Sequence, residues 1–367
     1  MSADVILVIV IATALAFDFT NGFHDTANVA ATAISTRAIA PRPAVALAAA
    51  LNFVGAFVSL KVAATVGKGF VDVHAVTTTV VFAGLIGAIG WNLLTWYLGL
   101  PSSSSHALIG GLVGSVWAAQ GASAVSGGGL VDKLIVPALV SPLVAFLVAG
   151  IAIVLIYRIV GRLRPGPVNR GFRAGQLASS GLLALSHGTN DAQKTMGLIT
   201  LALVAHGTIR ASAFQVPAWV VIAAASAIGL GTFSGGWRII RTMGTRIIKM
   251  DPAQGFAAQG AGAAVILAAS SVGYPLSTTH VISGGITGAG AAKRFSAVRW
   301  GVAGNIVGAW VLTLPAAAAA GAGVFGLCRL FGHGAAGPLV ITFVLVAALA
   351  MVLVRRAAQA APAPVVP

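Results

Sequence analysis

The chain has 367 residues, of which 58% are hydrophobic and 8% charged, against roughly 25% charged in an ordinary soluble domain. Lys and Arg number 22 and the acids seven, all of them Asp, for a formal net charge of +15. So little charge cannot cover a water-soluble globule, which excludes a soluble enzyme, a disordered chain and a repeat solenoid. The single Cys328 excludes an internal disulfide and a cysteine-built metal cluster. What remains is an all-α polytopic membrane protein. Its basic residues sit in short clusters between apolar runs, the habit of cytoplasmic loops, so no nucleic acid is expected as a partner.

In chain order, apolar runs predict spans at 4–36 (interrupted), 43–60, 76–100, 102–119 and 134–157. They continue at 176–205 (interrupted), 215–234, 252–274, 276–292, 300–326 and 337–354. The first run, Val5–Phe17, has no basic lead and no small-x-small cleavage pattern, so it reads as a membrane helix that stays. Placing the N-terminus outside and the C-terminus in the cytoplasm puts sixteen basic residues on the inner side. These include Arg37, Arg173, Lys249 and Arg299. Five fall on the outer side: Lys61, Lys68, Lys133, Arg210 and Arg329. That asymmetry is a clear positive-inside signal. The expected domains are an N-terminal transmembrane repeat (1–157), an Arg/Pro/Gly-rich cytoplasmic linker (158–175), a C-terminal repeat (176–354) and a disordered tail (355–367).

Two patterns occur once in each half. Gly22-Phe23-His24-Asp25-Thr26-Ala27-Asn28 returns as Gly188-Thr189-Asn190-Asp191-Ala192-Gln193-Lys194. Gly99-Leu100-Pro101-Ser102-Ser103-Ser104-Ser105-His106 returns as Gly273-Tyr274-Pro275-Leu276-Ser277-Thr278-Thr279-His280. On the topology above, the two copies cross the membrane in opposite senses. Inverted repeats with paired Gly/Pro interruptions point to a secondary transporter with its site at the repeat interface. A duplicated channel is the weaker alternative.

An Asp in the hydrocarbon layer costs several kcal/mol unless it faces partners or water. Asp25 and Asp191 occupy matched positions, and Asn28 follows Asp25 on the same helical face. With carbonyls freed at a helix break near Gly22 or Gly188, such groups make an oxygen cage for a hard cation, or carry a proton. A buried Asp that merely ties helices together is the structural alternative. Lys194 stands where the first copy has Asn28, and its ammonium can hold a place that a mobile cation fills in the other half, or snorkel to an interface.

In the second pattern, Pro101 and Pro275 end one helix segment and suit the first turn of the next. The hydroxyls that follow sit at a helix N-terminus, where free N–H groups and the dipole favour an oxyanion. The expected shape is a re-entrant-type hairpin with a Pro-Ser/Thr tip. Ser103, Ser104, Ser105, Ser277, Thr278 and Thr279 are the candidate anion ligands; plain N-capping is the alternative. His24, His106, His187 and His280 lie in or beside the patterns and permit proton coupling without proving it. No permanent metal site is expected.

The segments 17–28 (FDFTNGFHDTAN), 186–196 (SHGTNDAQKTM), 99–106 (GLPSSSSH) and 273–280 (GYPLSTTH) resemble the signatures of the PiT family of inorganic phosphate transporters. The form with His24-Asp25 and Asp191-Ala192-Gln193-Lys194 is most similar to the bacterial low-affinity Pit permeases. The resemblance implies an inverted-repeat carrier, often a homodimer, that imports phosphate by proton symport. It implies no cofactor, and a substrate that is largely a neutral complex of phosphate with magnesium or calcium. It makes Asn21 and Asn190 substrate-side candidates, with His24, Asp25, Asn28, Asp191 and Lys194 as the coupling set. Sodium-coupled relatives carry an Asn-Asp pair in both repeats; Asn190-Asp191 keeps it and His24-Asp25 does not. Gln259 stands where many relatives have an acid. A sodium-coupled phosphate or sulfate symporter is the alternative; a passive anion channel and an intramembrane enzyme rank below it.

Overall fold

A computed structural model describes residues 2–332 and 334–360. The first half contains α1 (Ser2–Ser35), α2 (Pro41–Gly55), α3 (Lys61–Lys68), α4 (Thr78–Leu98) and α5 (Ser104–Gln120). The short α6 (Gly127–Leu130) runs through a wide turn at Val131–Ile135 into α7 (Val136–Val160). The second half repeats this order with α8 (Pro165–Ala205), α9 (Ala218–Ser234), α10 (Trp237–Arg241), α11 (Pro252–Ser271), α12 (Thr278–Lys293) and α13 (Trp300–Leu330). A last helix, α14 (Ala336–Ala360), follows. No named strand occurs among the described residues.

By length and composition, α1, α4, the joined run Gly127–Val160 and α13 can each cross a membrane. The pair Ala218–Ser234 and Trp237–Arg246, bent by 60°, can make a fifth crossing. Helix α7 shows why the setting is lipid: Leu139, Leu143, Leu147 and Ile151 recur every fourth residue, each more than half exposed. An apolar stripe of that size is stable only against lipid or another apolar surface.

Local chemistry explains where helices begin and stop. Ser103 and Ser277 cap α5 and α12, accepting from the backbone N–H of His106 (3.1 Å) and His280 (3.4 Å). Asp251 and Gln254 form a reciprocal capping box on α11, with Pro252 at its first position. Helix α1 ends in a Schellman pattern: the N–H of Ala38 donates to the Ala33 carbonyl at 2.9 Å. The left-handed residue there is Arg37, at φ 59°, where glycine is usual. Such a conformation costs a side-chain-bearing residue about 1–3 kcal/mol.

The two interruptions expected at Gly22 and Gly188 are absent. Helices α1 and α8 are each unbroken, and α8 begins at Pro165, so 165–175 of the expected linker is its first turns. Neither run contains a proline past its start, and both glycines serve another purpose. A Cβ on Gly22 would lie 2.5 Å from the Ile228 carbonyl of α9, and one on Gly188 would strike the backbone of Asn52 in α2. Removing the side chain lets backbones touch, so each glycine marks a helix crossing. The expected tail divides: 355–360 closes α14, and 361–367 lies outside the described residues.

Contacts cross between the halves. Helix α1 packs on α9 and α8 on α2; α5 packs on α13 and α12 on α7. Gly114 lies against the backbone of Ala318, and Gly288 against that of Phe146. Gly288→Ala should therefore destabilise the protein by about 1–3 kcal/mol, read as a lowered thermal midpoint in detergent. Gly304→Ala, with nothing within 4 Å of the new methyl group, should not.

Candidate functional site

Helices α1 and α8 cross with their polar faces inward. Asp18, Asn21, Asp25 and Asn28 lie on one face of α1; His187, Asn190, Asp191 and Lys194 lie on one face of α8. All eight are buried, none more than 2% exposed. Asp25 Oδ1 is 2.7 Å from His24 Nδ1, and its Oδ2 lies 3.5 Å from the Thr278 hydroxyl. His187 sits between the acids, its Nε2 3.9 Å from Asp25 Oδ2 and 3.4 Å from Asp191 Oδ2. Its Nδ1 faces Asn52 Oδ1 at 3.1 Å, and Asn52 donates to the Thr232 hydroxyl at 2.8 Å.

The two hydroxyl tips meet at this crossing. The Ser105 hydroxyl of the first tip donates to the Leu276 carbonyl of the second at 3.0 Å. The Lys194 ammonium clasps both: it donates to Ser105 Oγ (2.5 Å), Leu276 O (2.7 Å) and Asp191 Oδ1 (2.7 Å). Asn28 Nδ2 donates to the hydroxyls of Thr278 (3.2 Å) and Thr279 (2.9 Å). The rings of His106 and His280 stack with centroids 4.9 Å apart.

The candidates thus divide by task. Ser103 and Ser277 are occupied as caps, and Ser103 Oγ also contacts His106 Nδ1 at 2.6 Å. Ser105 touches Lys194 and Thr278 touches Asp25, Thr279 accepts from the Asn28 amide, and the buried Ser104 hydroxyl has no hydrogen bond from the protein. Asn190 Nδ2 reaches Ser270 Oγ (2.9 Å) and the Tyr274 carbonyl (3.4 Å), behind the tip. Asn21 contacts neither tip by a hydrogen bond. His24 Nε2 reaches Thr95 Oγ1 (3.2 Å) and Ser102 Oγ (3.3 Å), which joins the first hairpin to Asp25.

Two residues were underweighted by sequence reasoning. His187 precedes Asp191 by one helical turn, so its i,i+4 spacing was the available signal. Asp18 precedes Asp25 by seven residues, two turns on the same face, and neither of its oxygens has a hydrogen bond from the protein. One ligand atom each from Asp25, His187 and Asp191 lies within 4.8 Å of the others. Two carboxylate oxygens and an imidazole nitrogen suit a divalent ion. At that spacing two carboxylates repel by about 3 kcal/mol at an effective dielectric of 20.

From the crossing, a polar lane runs along α1, α8 and α11. Gln259 Nε2 donates to Thr32 Oγ1 and Ser180 Oγ, and Ser179 Oγ donates to Gln259 Oε1, all at 2.6 Å. One level on, Thr36 Oγ1 donates to Gln176 Oε1 (2.9 Å), and Gln176 Nε2 to the Pro252 carbonyl (2.8 Å).

Two segments, 21–166 and 162–321, each match the model of the phosphate transporter family. The chain belongs to this family. A probable low-affinity inorganic phosphate transporter of Mycobacterium tuberculosis (strain ATCC 25618 / H37Rv) is 53% identical over 327 residues, 89% of this chain and 78% of the relative. One of Rhizobium meliloti is 51% identical, covering 85% and 93%; one of Bacillus subtilis is 45% identical, covering 87% and 96%. A solved structure described as the sodium-dependent phosphate transporter matches at TM-score 0.82 and 26% identity, covering 89% of this chain and 99% of that one. The protein is a multi-pass membrane transporter of phosphate, not an enzyme.

Removing Lys194 leaves Asp191 as a buried charge without its ammonium. Lys194→Met should cost about 3–5 kcal/mol of stability, and Asp191→Asn in the same chain should restore most of it. Denaturant unfolding in detergent measures both; a single variant as stable as the parent contradicts the pairing.

Proposed function

We propose that the protein imports inorganic phosphate by proton symport, as a neutral complex with magnesium or calcium, through alternating access between two inverted halves. The observation that carries this is the contact of both hydroxyl tips with a shared cluster of Asp25, His187, Asp191 and Lys194. In this reading the hydroxyls of Ser104, Ser105, Thr278 and Thr279 and the first turns of α5 and α12 donate to the phosphate oxygens. The divalent ion travels as cargo against Asp25, His187 and Asp191.

Charge decides the rest. With the imidazoles neutral, Asp18, Asp25, Asp191 and Lys194 carry a net −2 when ionised. A bare phosphate dianion is repelled by that set. A metal ion beside the phosphate and protons on His24 and His187 bring the total toward neutrality. Lys194 is a tethered cation that never leaves, so one compensating charge need not be carried. Rocking of one bundle against the other then exposes the loaded, neutralised site to either side. In this reading the N-terminus lies outside and the C-terminus in the cytoplasm, which the positive-inside bias of the basic loops supports, and the working unit is a homodimer.

One observation favours a second reading. The Asn190-Asp191 pair survives, and the structural match is described as sodium-dependent, so sodium can take the coupling role in one half. Sulfate is the competing anion. Uptake of labelled phosphate into proteoliposomes, with a proton or a sodium gradient imposed and with sulfate as competitor, separates these. The proton reading expects accumulation with the proton gradient alone. Asp25→Asn should abolish accumulation, and continued accumulation by that variant contradicts a coupling role for Asp25.

A further inference from the structure

At the far end of the polar lane, beyond Thr36, a cavity of about 470 Å³ opens. Arg37, Arg173, Lys249 and Arg299 line it, brought from four separate places in the sequence. Arg37 is the left-handed residue that ends α1; Arg173 lies in the first turns of α8; Lys249 precedes α11; Arg299 precedes α13. Asp251 is the acid among the lining residues, and it is engaged elsewhere. Its carboxylate accepts from the Tyr157 hydroxyl (2.6 Å), the Gln254 backbone (2.9 Å) and Lys293 Nζ (2.9 Å). Arg299 donates to the Thr245 carbonyl at 3.3 Å. Among the described residues no acid pairs with Arg37, Arg173 or Lys249.

Four like charges around one cavity repel one another, and a multivalent oxyanion relieves that repulsion. Two or more guanidinium groups offer paired N–H donors matched to phosphate oxygens. Position adds to chemistry. The cavity floor is Thr36 and Pro252, the same residues whose hydrogen bonds to Gln176 close the lane. The lane climbs through Gln259 and Thr32 toward Asn28, one turn above, which holds Thr278 and Thr279 of the second tip.

We propose that this cavity is a second oxyanion site, occupied by free inorganic phosphate leaving the central site or by the phosphate headgroup of an anionic lipid. The inference rests on the proposed central phosphate site at the helix crossing and on the proposed cytoplasmic side of the basic loops. It is separate from the central ligands, and its groups hold the anion by exposed charge, so binding weakens as salt rises.

Binding stoichiometry tests it. The full chain is placed in nanodiscs of phosphatidylcholine alone, and labelled inorganic phosphate is titrated by equilibrium dialysis at low ionic strength with magnesium present. Wild type should bind two phosphates per chain, and the Arg37→Gly/Arg173→Gln/Lys249→Gln variant one. Arg37→Gly suits its left-handed backbone, and the other two residues are exposed, so the variant should keep its fold; its thermal midpoint checks this. With phosphatidylglycerol in the discs, a wild-type stoichiometry that stays at two assigns the site to free phosphate. A fall to one assigns it to the headgroup. Equal stoichiometry in wild type and the triple variant in phosphatidylcholine overturns the proposal. Ser105→Ala is the independent control: if it leaves binding unchanged, the central site is at fault and not the cavity.

Discussion

Ionisable groups held together away from water are the constraint on which this molecule is built. Asp18, Asp25, Asp191 and Lys194 are all at most 2% exposed, within one crossing of two helices. Isolated buried ions of this kind cost several kcal/mol each. Three of them are answered nearby: Asp191 by Lys194 and His187, Lys194 by Asp191, and Asp25 by His24 and a threonine hydroxyl. Asp18 has no such answer from hydrogen bonds of the protein. The answers come from both halves of the chain, so the cluster is also the point at which the halves are tied.

Packing serves that meeting. The opening helix of each half lies on the second helix of the other, and the helix after each hydroxyl tip lies on a late helix of the other half, α5 on α13 and α12 on α7. Such interlocking needs backbones in near contact, and Gly22, Gly188, Gly114 and Gly288 supply it. Because α1 and α8 are unbroken, their polar side chains are presented as continuous stripes. The stripes extend past the charged cluster into the neutral lane at Thr32, Gln259 and Gln176, where every partner is a hydroxyl, an amide or a carbonyl. Gln259 is decisive here. Its two ends satisfy three hydroxyls on two helices without adding a charge, so the lane closes on hydrogen bonds alone.

Much of this was legible in the sequence, and for specific reasons. Two acids at matched places in a duplicated pattern announced a shared polar centre, and the Pro-Ser/Thr segments announced paired helix starts. The contact of Ser105 with Leu276 brings the two tips together, as the paired patterns suggested; that of Asn28 with Thr278 and Thr279 is seen only in the fold. Lys194 beside Asp191 followed from its spacing. The helix breaks did not materialise, because glycine in a membrane helix signals close packing as readily as a weak point. Sequence periodicity cannot tell these apart without knowing the neighbour. His187 stands beside the second copy of the first pattern, but its place between Asp25 and Asp191 depends on how α1 and α8 cross. The division of labour within each tip, one hydroxyl capping a helix and another facing a charged group, is likewise set in three dimensions.

The net charge moved with each phosphate tests the principle most directly. Proteoliposomes adsorbed on a solid-supported membrane report that charge as a transient current when phosphate is applied, at fixed pH and divalent-ion concentration. If anion entry requires positive partners, phosphate arrives with zero or net positive charge at every pH. A current of net negative charge, carried inward with phosphate, would show that the dianion shares the interior with the aspartates uncompensated, and would contradict the whole scheme.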